Sequence, residues 1–229
     1  RTALESADKI GEGRLATWVQ PLLAIIEVDM GDDEAALTDA ERGRERADES
    51  VQVVLQCWSL HALGYRHIQR EEWDPALEYY ERATACWRPT ENRSAPLLIG
   101  ASVAEAYLGK GCVPEAAQMI DEHITIAQFA QAPHPYAQAR RVQGEIRAAQ
   151  QAWDAAGHGF DEAVTRLDEL GSRLELGRAL YHRGAMWRSR GNPGAARTDL
   201  TRAGEIFLEI GAIRDRGRAE KHLQGLPGS

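Results

Sequence analysis

Several things this sequence lacks narrow what it can be. Cysteine is scarce: Cys57, Cys86 and Cys112 are the only three, an odd number with no close pair, so no disulfide framework is expected. A reducing, cytoplasmic setting fits that usage. No stretch approaches the roughly 18 consecutive apolar residues of a membrane helix. The opening "RTALESADKI" is charged and has no apolar core, so no signal peptide is expected in it, and it lacks an initiator Met, so an excised piece of a longer chain is expected. An excess of basic charge is missing too. The formal net charge is -8, which argues against nucleic-acid binding. Lysine is nearly absent, occurring only at 9, 110 and 221.

The signatures of chemistry are equally thin. "GEG" at 11–13 is isolated and no Gly-Lys-Ser/Thr follows it, and there is no CxxC or HExxH. Cys57 and His61 are four apart on one helical face, a spacing that suits a metal or an activated thiol, but no third ligand accompanies them. The expectation is therefore a chain with no catalytic residues, no metal site and no cofactor.

What is present is repetition. "EEWDPALEYYERA" (71–83) returns eighty residues later as "QAWDAAGHGFDEA" (151–163). Stepping by forty gives Ala36, Ala76, Ala116, Ala156 and Ala196 in one phase. A second phase gives Ala24, Gly64, Ala104, Gly144 and Gly184, and a third gives Ala40, Tyr80, Ile120, Phe160 and Leu200. Agreement in several columns without an insertion marks a structural repeat. Each unit has room for two helices. Gly31, Gly111 and Gly191 sit where a first helix ends, and Pro75, Pro114 and Pro193 sit just inside the next one. The spacing predicts helix pairs at 14–30/33–47, 51–70/73–88, 94–110/114–130, 134–150/153–170 and 173–190/193–210. Residues 1–11 match the end of a second helix, with Ala3 in phase with Ala83 and Ala163, and a polar capping helix is expected over 213–224. Small residues on the first helix are expected to admit bulky ones from the second. Trp73 and Trp153 are expected to cap their own helix pair from one end.

"LGYRHIQREEWDPALEYYERA" (63–83) and "RGAMWRSRGNPGAARTDLTRA" (183–203) resemble the tetratricopeptide repeats. Gly43 and His123 stand where the pattern ends in Ala, and Gln20 and Arg140 replace an early bulky residue. The period is longer than that family's usual 34 or so. In this the chain resembles the sensor arrays of large ATP-dependent bacterial regulators of the maltose-regulon-activator type, and its last stretch resembles the C-terminal arrays of multidomain nucleotide cyclases. The resemblance implies an all-α, right-handed superhelical solenoid of about five antiparallel helix pairs, in one domain over 1–229. It also implies an inner concave face built by the first helices.

Projected onto that face are Trp18, Ile25 and Val28, then Trp58, His61, Tyr65 and Ile68, then Leu98, Glu105 and Leu108. Gln138, Arg141 and Glu145 follow, then Arg178, Tyr181 and Arg188. Aromatics and Arg dominate binding hot spots, and Arg forks onto carboxylates. Trp18, Ile25, Trp58, His61, Tyr65, Arg141, Arg178, Tyr181 and Arg188 are thus the candidate binding residues, suited to an extended ligand with an apolar part and an acidic part. The expected function is a non-catalytic protein- or peptide-binding scaffold or sensor within a larger bacterial regulatory protein. The alternative is a small-molecule-sensing domain of an ATP-dependent transcriptional regulator. Self-association through the apolar edge left by the half-repeat at residues 1–11 is a further expectation.

Overall fold

The computed structural model describes residues 13–50, 53–87 and 94–227, and every element among them is an α-helix. The chain divides into two compact units, 1–111 and 112–229. The first holds α1 (Gly13–Met30), α2 (Asp33–Ser50), α3 (Val53–Gln69), α4 (Trp73–Trp87) and α5 (Ser94–Gly109). The second holds α6 (Val113–Phe129), α7 (Pro133–Ala149), α8 (Trp153–Glu169), α9 (Arg173–Ser189), α10 (Pro193–Ile210) and α11 (Ile213–Gln224). The helix bounds follow the forty-residue spacing closely. The half-repeat expected over 1–11 lies outside the described residues.

The turns show why the period holds. After α1, α3, α7 and α9 the chain closes with the same 6→1 backbone bond: Asp32 N to Glu27 O, Glu72 N to His67 O, Ala152 N to Arg147 O and Asn192 N to Trp187 O, all 2.9–3.0 Å. This closure needs a left-handed residue just past the helix. Gly31 and Gly191 supply it without strain, at φ 83° and 82°. Glu71 and Gln151 adopt it despite their side chains, at φ 60° and 59°.

Within each unit, consecutive helices pack antiparallel, and the first helices also touch across successive pairs: α1 on α3, α3 on α5, α7 on α9 and α9 on α11. The core obeys size complementarity. A Cβ added to Gly64 would lie 2.9 Å from the Tyr80 ring, one on Gly144 2.9 Å from the Phe160 ring, and one on Gly184 2.8 Å from Leu200. Where the second helix carries only Ala40, the first affords a methyl, Ala24, and the two share a cluster with Ala62 and Leu63.

The tryptophans at the start of the second helices reach forward instead of capping their own pair alone. Trp73 covers Gly109 at the end of α5, where an added Cβ would sit 2.6 Å from the indole. Trp153 joins Met186 and Trp187 of α9, together with Ala148 and Phe160 of its own pair. An indole too large for the end of one hairpin thus fastens it to the next. Towards the end of the described residues Leu223 of α11 and Leu226 beyond it fold against Ala196 and Leu200 of α10.

Candidate functional site

In the first unit, α3 sets Trp58, His61 and Tyr65 on one face, at the i, i+3, i+7 spacing that aligns side chains along a helix. Trp58 is half-buried and stands edge-on to His61, with ring centroids 6.2 Å apart. His61 is buried between Tyr65 and Tyr80, at 6.0 and 5.9 Å, and its Nδ1 lies 3.4 Å from Tyr80 Oη. Burial pulls its imidazole down to about 4, so the ring is neutral at physiological pH. The Tyr65 hydroxyl donates to Asp29 Oδ1 of α1 at 2.5 Å. Tyr80, on α4, also hydrogen-bonds Ser102 of α5. Side chains from four helices thereby hold one aromatic cluster, with part of Trp58 left to solvent. Ile25 packs between α1 and α3, against Leu63 and Tyr65, and Val28 and Ile68 are buried. Trp18 is exposed.

Cys57 and His61 do not act together. The Cys57 thiol donates to the Ala83 carbonyl of α4, at 3.6 Å. Burial, with a smaller contribution from the neighbouring Cys86, pushes it up to about 11. A thiol held protonated at neutral pH is a poor nucleophile. Among the described residues, no three His, Cys, Asp or Glu side chains are grouped to hold a metal ion.

In the second unit the first helices carry a ladder of alternating charge. Arg141 of α7 donates to Glu145 at 2.5 Å and to Glu175 of α9 at 2.9 Å. Arg178 of α9 donates to the other oxygen of Glu175 at 3.1 Å and to Asp215 of α11 at 2.9 Å. Arg218 reaches the second oxygen of Asp215 at 3.3 Å. Burial alone would raise the Glu175 carboxyl, but the guanidinium groups of Arg141 and Arg178 outweigh it and bring it to about 2. Beside the ladder, Tyr181 Oη lies 3.3 Å from His222 Nε2, and its ring sits 4.9 Å from that of His182. His182 Nδ1 is in turn 3.4 Å from Glu145.

The structure therefore brings Arg141 and Arg178 together on Glu175, and Tyr181 together with two histidines. It leaves Arg188 exposed toward the end of α9. Arg141 is 1 % exposed and Arg178 7 %. Their demand for carboxylate is met within the chain, so an acidic ligand at Arg178 has Asp215 to displace. Glu175, Asp215, His182 and His222 were not singled out by the sequence reading. Their signal is spacing: Arg141–Glu175 and Arg178–Asp215 are 34 and 37 residues apart, one repeat less one or two helical turns.

No protein-family model matches the sequence, and no curated protein does. Solved structures are similar to it in fold. The apo form of RapI has a TM-score of 0.60 at 12 % identity, over 84 % of this chain and 70 % of that one. A signal-transduction ATPase of the STAND class with a tetratricopeptide-repeat sensor, from Pyrococcus horikoshii, has a TM-score of 0.62 at 16 % identity. That match covers 92 % of this chain but 33 % of the ATPase, so the chain spans about a third of that protein's length. BtubC from P. vanneervenii has a TM-score of 0.56 at 14 % identity, over 89 % and 94 % of the two chains. The fold is that of an all-α, tetratricopeptide-like helical repeat. No described helix is long and apolar enough to cross a membrane.

Proposed function

We propose that this chain is a non-catalytic binding module that takes up an extended protein or peptide segment along its first helices, as a sensor or scaffold within a larger regulatory protein. One observation carries the reading: Trp58 stands edge-on to a buried aromatic cluster held by side chains of four helices, yet part of it remains open to solvent. A half-buried aromatic side chain backed by other rings is the kind of anchor that binding hot spots use. The ion ladder of the second unit suits a polar partner with both donors and acceptors better than a purely acidic one, since Arg141 and Arg178 already hold carboxylates. The likeness to the Pyrococcus horikoshii ATPase with its tetratricopeptide-repeat sensor supports a place in a regulatory chain.

The test is selection of binders from a displayed random-peptide library on the folded chain, followed by affinity measurement. Selected peptides are expected to carry an apolar or aromatic side chain and to lose about 2 kcal/mol or more on Trp58→Ala. Phe129→Ala, at an exposed position ending α6, is expected to leave their affinity unchanged. Peptides that bind equally well to the Trp58→Ala chain would sink the assignment. A library that yields none would move the reading to a small-molecule sensor, to be tested with a metabolite panel.

A further inference from the structure

Two cations at the end of the second unit hold no carboxylate. Each arginine of the ladder, Arg141, Arg178 and Arg218, donates to at least one acid. Arg188 of α9 and Lys221 of α11 form no ion pair and no hydrogen bond among the described residues. They lie together. Arg188 Nη1 is 3.6 Å from the point where a Cβ on Gly225 would stand, and the main-chain carbonyls of Lys221 and His222 are both 3.7 Å from that same point. The guanidinium therefore sits at the last turn of α11 without being spent on its carbonyls. Packing does not ask for a charge there. In earlier repeats the column of Arg188 holds Val28 and Ile68, both buried, then Leu108 and Ala148, both half-buried. Two neutral groups adjoin the cations. Tyr181 lies two helical turns before Arg188 on the same face of α9, and in phase with Lys221 of α11. Its Oη is 3.3 Å from His222 Nε2, and the two rings are 5.1 Å apart. His222 Nδ1 is enclosed and has no partner, so the imidazole proton belongs on Nε2, given to the tyrosine oxygen. The Tyr181 O–H then remains as a donor. Burial lowers the His222 imidazole, and the charges of Arg188 and Lys221 lower it further, with no carboxylate countering them.

We propose that Arg188, Lys221 and the Tyr181 hydroxyl form a binding site for a phosphate monoester group. Such a group carries a charge of about -1.5 to -2 at pH 7 and three strong acceptor oxygens. It matches two uncompensated cations and one hydroxyl donor. A carboxylate brings a single charge and leaves one cation unanswered. Arg188 can fork onto two of the oxygens, and Lys221 adds a point charge. The acids whose charges reach Tyr181, Glu145 and Asp215, are held by ladder arginines and so oppose the anion less. The group is the same on a phosphorylated metabolite and on a phosphorylated side chain of a protein partner, and the site reads what the two share. It lies wholly within the second unit and does not rest on the Trp58 reading.

Titration calorimetry of the 229-residue chain tests it with two phosphate esters, glucose 6-phosphate and a glycine-flanked phosphoserine peptide. Acetate and the unphosphorylated peptide serve as references. At least one ester is expected to bind, and about tenfold or more tighter than either reference, the margin of a charge-assisted hydrogen bond. Arg188→Gln and Lys221→Gln are each expected to weaken it by a similar factor. Arg216→Gln removes the same charge from α11 at a residue already paired with Glu220, and is expected to leave the affinity unchanged. All three substitutions are at the surface, and helical circular dichroism verifies the fold. A peptide that binds more tightly than the sugar phosphate supports the site and assigns it to a protein partner; the reverse order supports it and assigns it to a metabolite. Failure of both esters to bind at millimolar concentration would overturn the proposal. So would acetate binding as well as the esters, or a loss on Arg216→Gln equal to that on Arg188→Gln, which would reduce the effect to the general charge of the helix.

Discussion

Helices α3 and α9 occupy the same place in the repeat, three repeats apart, and their faces differ in chemistry. Trp58 of α3 corresponds to Arg178 of α9, His61 to Tyr181, and Leu55 to Glu175. The sides that hold the second helices agree: Gly64 and Gly184 both receive a bulky residue from the partner helix. The repeat fixes where side chains stand because those packing columns admit few alternatives. The opposite face is not needed to close a hairpin, so its chemistry is free to diverge. In α3 it forms an aromatic cluster with one open ring. In α9 it forms buried ion pairs that tie three successive first helices together.

The largest expected effect tests the ion-pair half of that contrast. Glu175→Gln removes the charge shared by Arg141 and Arg178, leaving two buried guanidinium groups short of compensation. Removal of one partner from such a group costs about 3–5 kcal/mol. Urea unfolding should show a loss of that order. The wild-type contribution should also depend on pH in a definite way. Glu175 is held at about 2, below its ordinary 4.5, so its stabilisation is complete above pH 4.5 and is lost as pH falls toward 2. The Gln variant should lack that part of the acid dependence. A variant as stable as the parent would mean that the ladder contributes nothing net to the unit.

A smaller effect should be common to both units. Gly64→Ala and Gly144→Ala each drive a methyl to within 2.9 Å of an aromatic ring, of Tyr80 and Phe160 respectively. Overpacking of this kind costs about 1–3 kcal/mol. Gly157→Ala, also within a helix but with no atom within 4 Å of the added methyl, is expected to stabilise by up to about 1 kcal/mol. If Gly64→Ala and Gly157→Ala shifted the unfolding midpoint alike, the packing columns would owe nothing to steric fit.

These columns are also what made the fold legible in the sequence. Glycine and alanine recur because helices approach closely there, so a count by forties finds the helices and most of their ends. The left-handed turns at Glu71 and Gln151 carry no such mark, since neither residue favours that conformation. The forward reach of Trp73 and Trp153 depends on what ends the following first helix, Gly109 in one case and Trp187 nearby in the other. The candidate site was legible only in part. His61 and Tyr65 emerged from helical spacing, yet both are bound into the cluster, and only Trp58 among the three offers a partly open ring. Arg141 and Arg178 read as ligand-binding residues because the carboxylates that complete their pairing, Glu175 for Arg141 and Asp215 for Arg178, lie more than thirty residues away, on neighbouring repeats. Of the exposed apolar side chains of α1 only Trp18 was singled out; Leu22, Ile26 and Met30 look like ordinary core in the sequence.

The smallest expected effect concerns the turns. Gln151 sits at φ 59° and Glu71 at φ 60°, where an L side chain costs about 1–2 kcal/mol relative to the right-handed helix. Gly191 and Gly31 meet the same requirement without that cost, although glycine loses about 0.5–1 kcal/mol more conformational entropy on folding. The difference leaves a net gain of up to about 1 kcal/mol for Gln151→Gly and for Glu71→Gly, or a rise of roughly 2–4 °C in the unfolding midpoint of a chain this size. The reverse change, Gly191→Ala, introduces the strain without a compensating contact, since no atom lies within 4 Å of the new methyl, and should lower the midpoint by a similar amount. Equal and opposite shifts at 151 and 191 would show that the two turns are one structure with different residues in it. A loss of stability at 151 would mean that the Gln151 side chain makes a contribution which the backbone geometry alone does not reveal.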